Sequence, residues 1–339
     1  MILNVFTITE LFIELVTLIL MVWAGILSLV LGLRWQQSSS TQEKMLVEQK
    51  SHLVLLLAVI VLGIRLFNWP FFYATLQSLV PDISGAMCMF GVTHVERKVS
   101  LISELLKPIS FFLIGAWLAI QMVDQKTETS PLMGRKLIIL SLIAAVVAAE
   151  SLVDTALILH IAPETPVTCC TTVTDVLDRP TATVPQSILG PQYASILTYA
   201  YFVGNSFVIM SLALVRTAMG NNVHARWRRP APGIIFLCAI INAGIFLLTQ
   251  IEVHAPMIMH LPYHRCLYCL WQYVPDTILM YSFFILATAS TGWAFILDLA
   301  GRAKETESIL QPYMRKLYGL SLLCFTASLI MNAVHLIVA

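Results

Sequence analysis

Charge is what this sequence has least of. Asp, Glu, Lys and Arg make up only 12% of its 339 residues, and they almost cancel, at +1. A soluble globular domain carries about 25% charged residues. The scarcity argues against a soluble core, and the balance gives no footing for a nucleic-acid partner. Nucleotide-binding patterns are missing as well. There is no G-x-x-x-x-G-K-[ST], no G-x-G-x-x-G and no H-E-x-x-H. The chain supplies no nucleotide energy of its own, so any transport needs a gradient or a partner subunit. No second C-x-x-C stands at zinc-finger spacing. There is no low-complexity segment and no convincing internal repeat. The first residues, M-I-L-N-V-F-T-I-T-E, lack the positive region of a signal peptide. The apolar stretch after them, ending at Arg34, is expected to be retained as a first span.

What the sequence has instead is apolar length. Hydrophobic residues make up 58% of it, and the mean hydropathy is +0.82. A helix needs about 20 apolar residues to cross a bilayer. Eight segments qualify, near 8–33, 52–72, 101–123, 137–160, 192–216, 233–252, 277–299 and 316–338. The second is free to continue past Trp69-Pro70 to Val80, kinked by the missing donor. The expectation is an all-α, polytopic integral membrane protein. It has eight transmembrane helices in one bundle and forms a single domain over 1–339. Small residues at Gly115, Ala116, Ala287, Ala289, Ser290 and Gly292 suit close helix contact.

Orientation follows from the cations in short loops. Arg34, Lys44, Lys50, Lys126, Arg135, Lys136, Arg216, Arg226, Arg228, Arg229, Arg302, Lys304, Arg315 and Lys316 fall on one side. Only Arg97, Lys98, Arg179 and Arg265 fall on the other. The richer side is predicted to be cytoplasmic, which puts both termini outside the cytoplasm. R-W-R-R at 226–229 reads first as a topology determinant and second as an anionic-lipid or partner site. The expected location is a bacterial or archaeal inner membrane.

That topology makes the seven cysteines informative. Cys238 and Cys324 lie within spans and read as small packing residues. The other five, Cys88, Cys169, Cys170, Cys266 and Cys269, all fall in outward loops. The densest stretch is His254 to Cys269, H-A-P-M-I-M-H-L-P-Y-H-R-C-L-Y-C, read as a short loop. It joins His254, His260 and His264 to Met257, Met259 and a C-x-x-C. Met87 and Met89 flank Cys88. Thiolate, thioether and imidazole are soft ligands, and thioethers favour copper(I) over zinc. A C-x-x-C is also a redox pair or a disulfide site. Five outward cysteines are an odd number, so disulfides alone leave one thiol over. Adjacent Cys169 and Cys170 are poorly placed to pair with each other. In plan, the outward cysteines resemble those of the quinone-linked disulfide-forming membrane proteins. That resemblance implies electron transfer from thiols to a quinone, although the plan of that family uses fewer spans.

Ionisable residues inside spans mark function or paired structure. Glu10, Glu14, Arg65, Glu104, Lys107, Glu150 and Asp154 share the outer half of the predicted bilayer. Arg65 and Glu150 each lie about 20 Å along their spans from the cytoplasmic end. Buried pairs are expected, Arg65 with Glu150 or Asp154, and Lys107 with Glu104. The alternative is an outward-opening polar cavity that attracts a cation or relays protons. His160, His254 and His335 near span ends are weak candidates for haem ligands, and no C-x-x-C-H is present.

The reading that joins these signals is an extracytoplasmic site that binds or handles a soft metal ion, copper first, for transport, delivery or partner assembly. Cys266, Cys269, Cys88 and His264 are the expected main ligands. Met87, Met89, Met257 and Met259 are secondary, with Glu150, Asp154 and Arg65 beneath. The alternatives are a quinone-linked membrane thiol–disulfide oxidoreductase and a non-catalytic subunit braced by disulfides. The expected surroundings are the lipid bilayer and a membrane or periplasmic protein partner.

Overall fold

A computed structural model describes residues 2–38, 40–127, 129–163, 165–167, 175–176, 178–220, 231–303 and 305–339. Cys169, Cys170, Lys304 and the R-W-R-R run lie outside the described residues. All regular structure among the described residues is helical, and eight helices are long and apolar enough to span a membrane. The chain divides into two compact units. The first is Met1–Val167 with Leu299–Leu310, and the second is Thr168–Asp298 with Gln311–Ala339.

The first unit contains α1 (Val5–Gln37), α2 (Thr41–Ser78), α3 (Met89–Val95), α4 (Arg97–Asp124) and α5 (Met133–His160). Asn4 opens α1 with a capping box. Its side chain accepts from the Thr7 amide at 2.9 Å, and its own amide donates to Thr7 Oγ1 at 2.9 Å. The buried stripe of α1 is unusual in kind. It holds Glu10, Glu14, Thr17 and Ser28 among small residues, while Phe12, Ile19 and Ile26 are exposed. Polar groups face inward and branched apolar groups face outward, the reverse of a soluble helix. Gly25 is required by close approach, because a Cβ there would come within 2.8 Å of Ala144 Cβ on α5.

As the sequence allows, α2 runs through Pro70, to Ser78, and a short 3-10 turn follows at Val80–Asp82. Toward its Arg34 end, α1 packs on α2 and α5, and α4 joins the same core from α5; the cluster includes Leu31, Val54, Ala58, Trp117, Leu137 and Leu140. Trp117 Nε1 donates to the Lys136 carbonyl at 2.9 Å, and Lys136 pairs with Asp124 at 2.6 Å. These contacts staple α4 to α5.

The second unit contains α6 (Pro180–Leu189), α7 (Tyr193–Gly220), α8 (Ala231–Thr249), α9 (Ala255–Ile258), α10 (Leu267–Tyr273), α11 (Thr277–Ala300) and α12 (Glu307–Val338). The ends of α11 and α12 nearest each other belong to the first unit. Between α8 and α9 the helix does not stop but widens into a π turn, Gln250–His254. Asn242 of α8 donates to Asn205 of α7 at 3.1 Å, and Thr291 of α11 bonds Ser321 of α12 at 2.7 Å. Phe246 and Phe284 stack with centroids 3.8 Å apart. Small polar pairs and stacked rings therefore join these helices, with Ala287 and Ser290 fully buried at the seam.

Candidate thiol site and buried charge network

Cys266 occupies the N-cap position of α10, and Cys269 lies in its first turn. A three-residue step on a helix returns to nearly the same face, so the two sulfurs meet, within 4.8 Å of one another. Both residues are buried, and Cys266 is a thiol. The approach to the pair is pinned by ions. Glu252, in the π turn, is held by Arg179 at the start of α6, whose Nε donates to Oε1 at 2.8 Å and whose second guanidinium arm reaches Oε2. Arg265, one residue before the pair, places its Nε 3.5 Å from the same carboxylate. Burial disfavours the charge on Arg179, but the Glu252 hydrogen bonds outweigh it and hold its pKa above the ordinary arginine value. His264 Nδ1 lies 3.0 Å from Asp175 Oδ2. This is the carboxylate–imidazole arrangement that leaves Nε2 available to a metal.

The stretch expected to be a loop is half helical, with residues 259–266 left as turn and irregular backbone. α8, the π turn and α9 carry the helix to Ile258, and α10 takes up again at Leu267. His254 is consequently not a loop residue but a fully buried one. Its Nδ1 lies 3.1 Å from both Gln250 Nε2 and Asn332 Nδ2. Two amide donors make Nδ1 the acceptor, so the ring hydrogen belongs on Nε2. Gln250 also donates to Asn332 Oδ1 at 3.1 Å and accepts from Tyr281 at 3.2 Å. A π turn offsets the helix by one residue, and here it turns Gln250 and His254 to α12 and Glu252 to Arg179.

The remaining candidates sort by burial. Cys88, in the first unit, is fully buried just before α3, and Met89 beside it is buried too, while Met87 is 77% exposed. The loop carrying Cys88 is fixed by Gly85, with φ +85°, whose missing side chain makes room for the Val167 carbonyl. Met257 and His260 line a cavity of about 460 Å³, and Met259 is half-buried. His160 Nδ1 is 2.7 Å from the Ala156 carbonyl, and His335 Nε2 is 3.1 Å from Asp276.

In the first unit the ionisable residues of four elements converge. Arg65 of α2 bonds Glu14 of α1 at 2.5 Å and lies 3.1 Å from both Glu150 and Asp154 of α5. Lys107 of α4 lies 2.7 Å from Asp154 and 3.5 Å from Glu150, with its ammonium 3.6 Å from the centroid of the Phe72 ring. Asp154 also accepts from Ser103 at 2.5 Å. Asn68 donates to Glu10 at 2.9 Å and to Glu14 at 3.0 Å. Both sequence-level partners of Arg65 are in place. Lys107 differs from expectation, because its ammonium turns inward to Asp154 while Glu104 stays half-buried.

Sequence reasoning passed over Glu252, Asp175, Asn68, Ser103 and the Gln250–Asn332 bridge. Glu252 had a usable signal, being an acid at the end of an apolar run with Arg265 in the loop that follows. Asp175 and Asn332 had none, since each acts on a residue many positions away.

No family model, no curated protein and no solved structure matches this chain.

Proposed function

We propose that this chain is an integral membrane protein that binds a soft metal ion, copper first, at an extracytoplasmic site built on Cys266 and Cys269. The observation that carries the reading is the thiol pair, two buried sulfurs within 4.8 Å. Two thiolates on one ion, each about 2.3 Å from it, lie no more than about 4.6 Å apart. The pair thus suits an ion with little or no closure. Sulfur donors in an apolar, water-poor setting favour copper(I) over the hard cations. Cys88 is proposed as a third sulfur, because the cation asymmetry assigns it to the same side of the membrane as the pair. His264, oriented by Asp175, is a further ligand in this proposal, with Met257 and Met259 toward solvent. Membrane insertion is supported by the eight apolar helices and by the inside-out polarity of α1, and extracytoplasmic termini by the cation asymmetry with an even number of spans. The metal would serve transport, delivery or assembly of a partner metalloprotein.

The test uses the full chain purified anaerobically in detergent. Copper(I) titration with a competing chelator is expected to show about one ion per chain, with loss of binding in Cys266→Ser and Cys269→Ser and weakened binding in Cys88→Ser. Failure to bind copper(I) or zinc while both thiols remain reactive overturns the reading. The same proximity suits closure to a disulfide, which favours a quinone-linked thiol–disulfide oxidoreductase as the second reading. In that case Cys266→Ser accumulates a mixed disulfide with a partner protein, a species the metal reading does not produce.

A further inference from the structure

The ionisable side chains buried in the first unit do not balance. Apart from the matched Asp124–Lys136 pair, four of those described are acids, Glu10 and Glu14 of α1 with Glu150 and Asp154 of α5. Two are bases, Arg65 of α2 and Lys107 of α4. None is more than 4% exposed. Fully ionised, four negative against two positive charges leave the cluster at −2. An uncompensated charge in such surroundings is strongly destabilising.

The hydrogen bonds single out which acids are in excess. Asp154 accepts from Arg65, Lys107 and Ser103. Glu14 accepts from Arg65 on both oxygens and from Asn68 on one. These two carboxylates match the two cations. Glu10 is bonded by Asn68 on Oε1, and its buried Oε2 has no partner. Glu150 has Oε1 at 3.1 Å from Arg65 and 3.5 Å from Lys107, and its Oε2 likewise has none. The two acids left over by the charge count are the two with a partnerless oxygen. Asn68 Oδ1, also buried, is an acceptor that lacks a donor.

We propose that Glu10 and Glu150 bind two exchangeable protons, making the interior of the first unit a proton-binding site. A hard metal ion is the poorer occupant. It takes six or more oxygens, and the cluster's partnerless oxygens are few and divided between Glu10 with Asn68 and Glu150. A proton needs one oxygen. On Glu10 it converts an acceptor into a donor, for which Asn68 Oδ1 is the waiting acceptor. The charged groups acting on Glu10 are Glu14, Lys107 and Asp154. At Glu150 they are Arg65 and Lys107, with Tyr73 of α2 and Glu104 of α4 facing the same end. Losing either proton returns a negative charge to a cluster already matched. Release must therefore accompany a change that opens the cluster or brings in positive charge, so the site couples proton exchange to conformation. The inference is independent of the thiol site.

Infrared difference spectra of the full chain in light and heavy water at neutral pH test it. The carbonyl band of a protonated, buried carboxylic acid is expected. Glu10→Gln and Glu150→Gln should each remove part of it, and the double variant should remove it all. Glutamine is neutral, like the protonated acid, so both variants should fold at close to wild-type yield. Glu14→Gln and Asp154→Asn strand a cation and should lose yield several-fold. Absence of the band overturns the proposal. So does a loss of yield in Glu10→Gln and Glu150→Gln equal to that in Glu14→Gln and Asp154→Asn, or disappearance of the wild-type band when sodium replaces potassium.

Discussion

The two units bury polar groups in different currencies. The first buries full charges, with Arg65 and Lys107 matched by Glu14 and Asp154. The second, at the π turn, buries neutral groups, with Gln250, His254, Tyr281 and Asn332 joined by hydrogen bonds of 3.1–3.2 Å. Charges in a low dielectric must be matched in number, whereas neutral groups need only donors facing acceptors. The first network is therefore sensitive to the protonation of its members. The second is sensitive mainly to shape.

Breaking a charge match should have the largest effect. Asp154→Asn leaves Arg65 and Lys107 short of a carboxylate and is expected to cost about 3–5 kcal/mol. It is read as a lowered unfolding midpoint in detergent. Adding Lys107→Met to that variant restores the count, and part of the loss should return. A double variant no more stable than the single would mean that number matching does not govern this cluster. The neutral network should respond less. Asn332→Leu strips Gln250 and His254 of a partner and is expected to cost about 1–3 kcal/mol. Here no compensating removal of charge exists to rescue it, and that asymmetry is what separates the two units.

Steric change in the first unit falls in the same range. Gly25→Val drives a side chain into Ala144 and should cost about 1–3 kcal/mol, seen in thermal unfolding. The smallest effect on stability belongs to Asp175→Asn, at a partly exposed pair, worth about 0–1 kcal/mol. That substitution sharpens the functional side instead. If His264 is a ligand, loss of the orienting carboxylate should weaken metal affinity by about 10-fold or more. Unchanged affinity in a chelator competition would remove His264 from the ligand set.

Legibility varied with the range of the interaction. The eight helices follow from local apolar length. Most observed ends, such as Val5–Gln37 for the stretch read as 8–33, differ by only a few residues, but the second span, Gln42–Asp82 against 52–72, is ten residues longer at each end, and the eighth, Glu307–Val338 against 316–338, starts nine residues earlier. The Arg65 pairs were legible because rise per residue puts Arg65 and Glu150 at one depth. Lys107 with Glu104 was misdirected by the same arithmetic. Three residues apart on one helix they look like partners, but rotation of α4 buries Lys107 and leaves Glu104 half-buried. His254 was read into a loop because the sixth apolar run was taken to end at 252, shortly before Pro256. Its position near the start of α9, however, is one where proline's missing donor costs little.

From the sequence alone came the helical class, the eight apolar lengths, the cation asymmetry and the grouping of polar residues at one level. All are consequences of composition and of a fixed rise per residue. Tertiary structure alone decided which carboxylates receive the two cations, that Glu252 clamps both Arg179 and Arg265, and that His254 lies inside the second unit. Those outcomes depend on how each helix is rotated about its axis and where the π turn slips the register. Close packing across helices sets both, and neither is encoded in the spacing within any one of them.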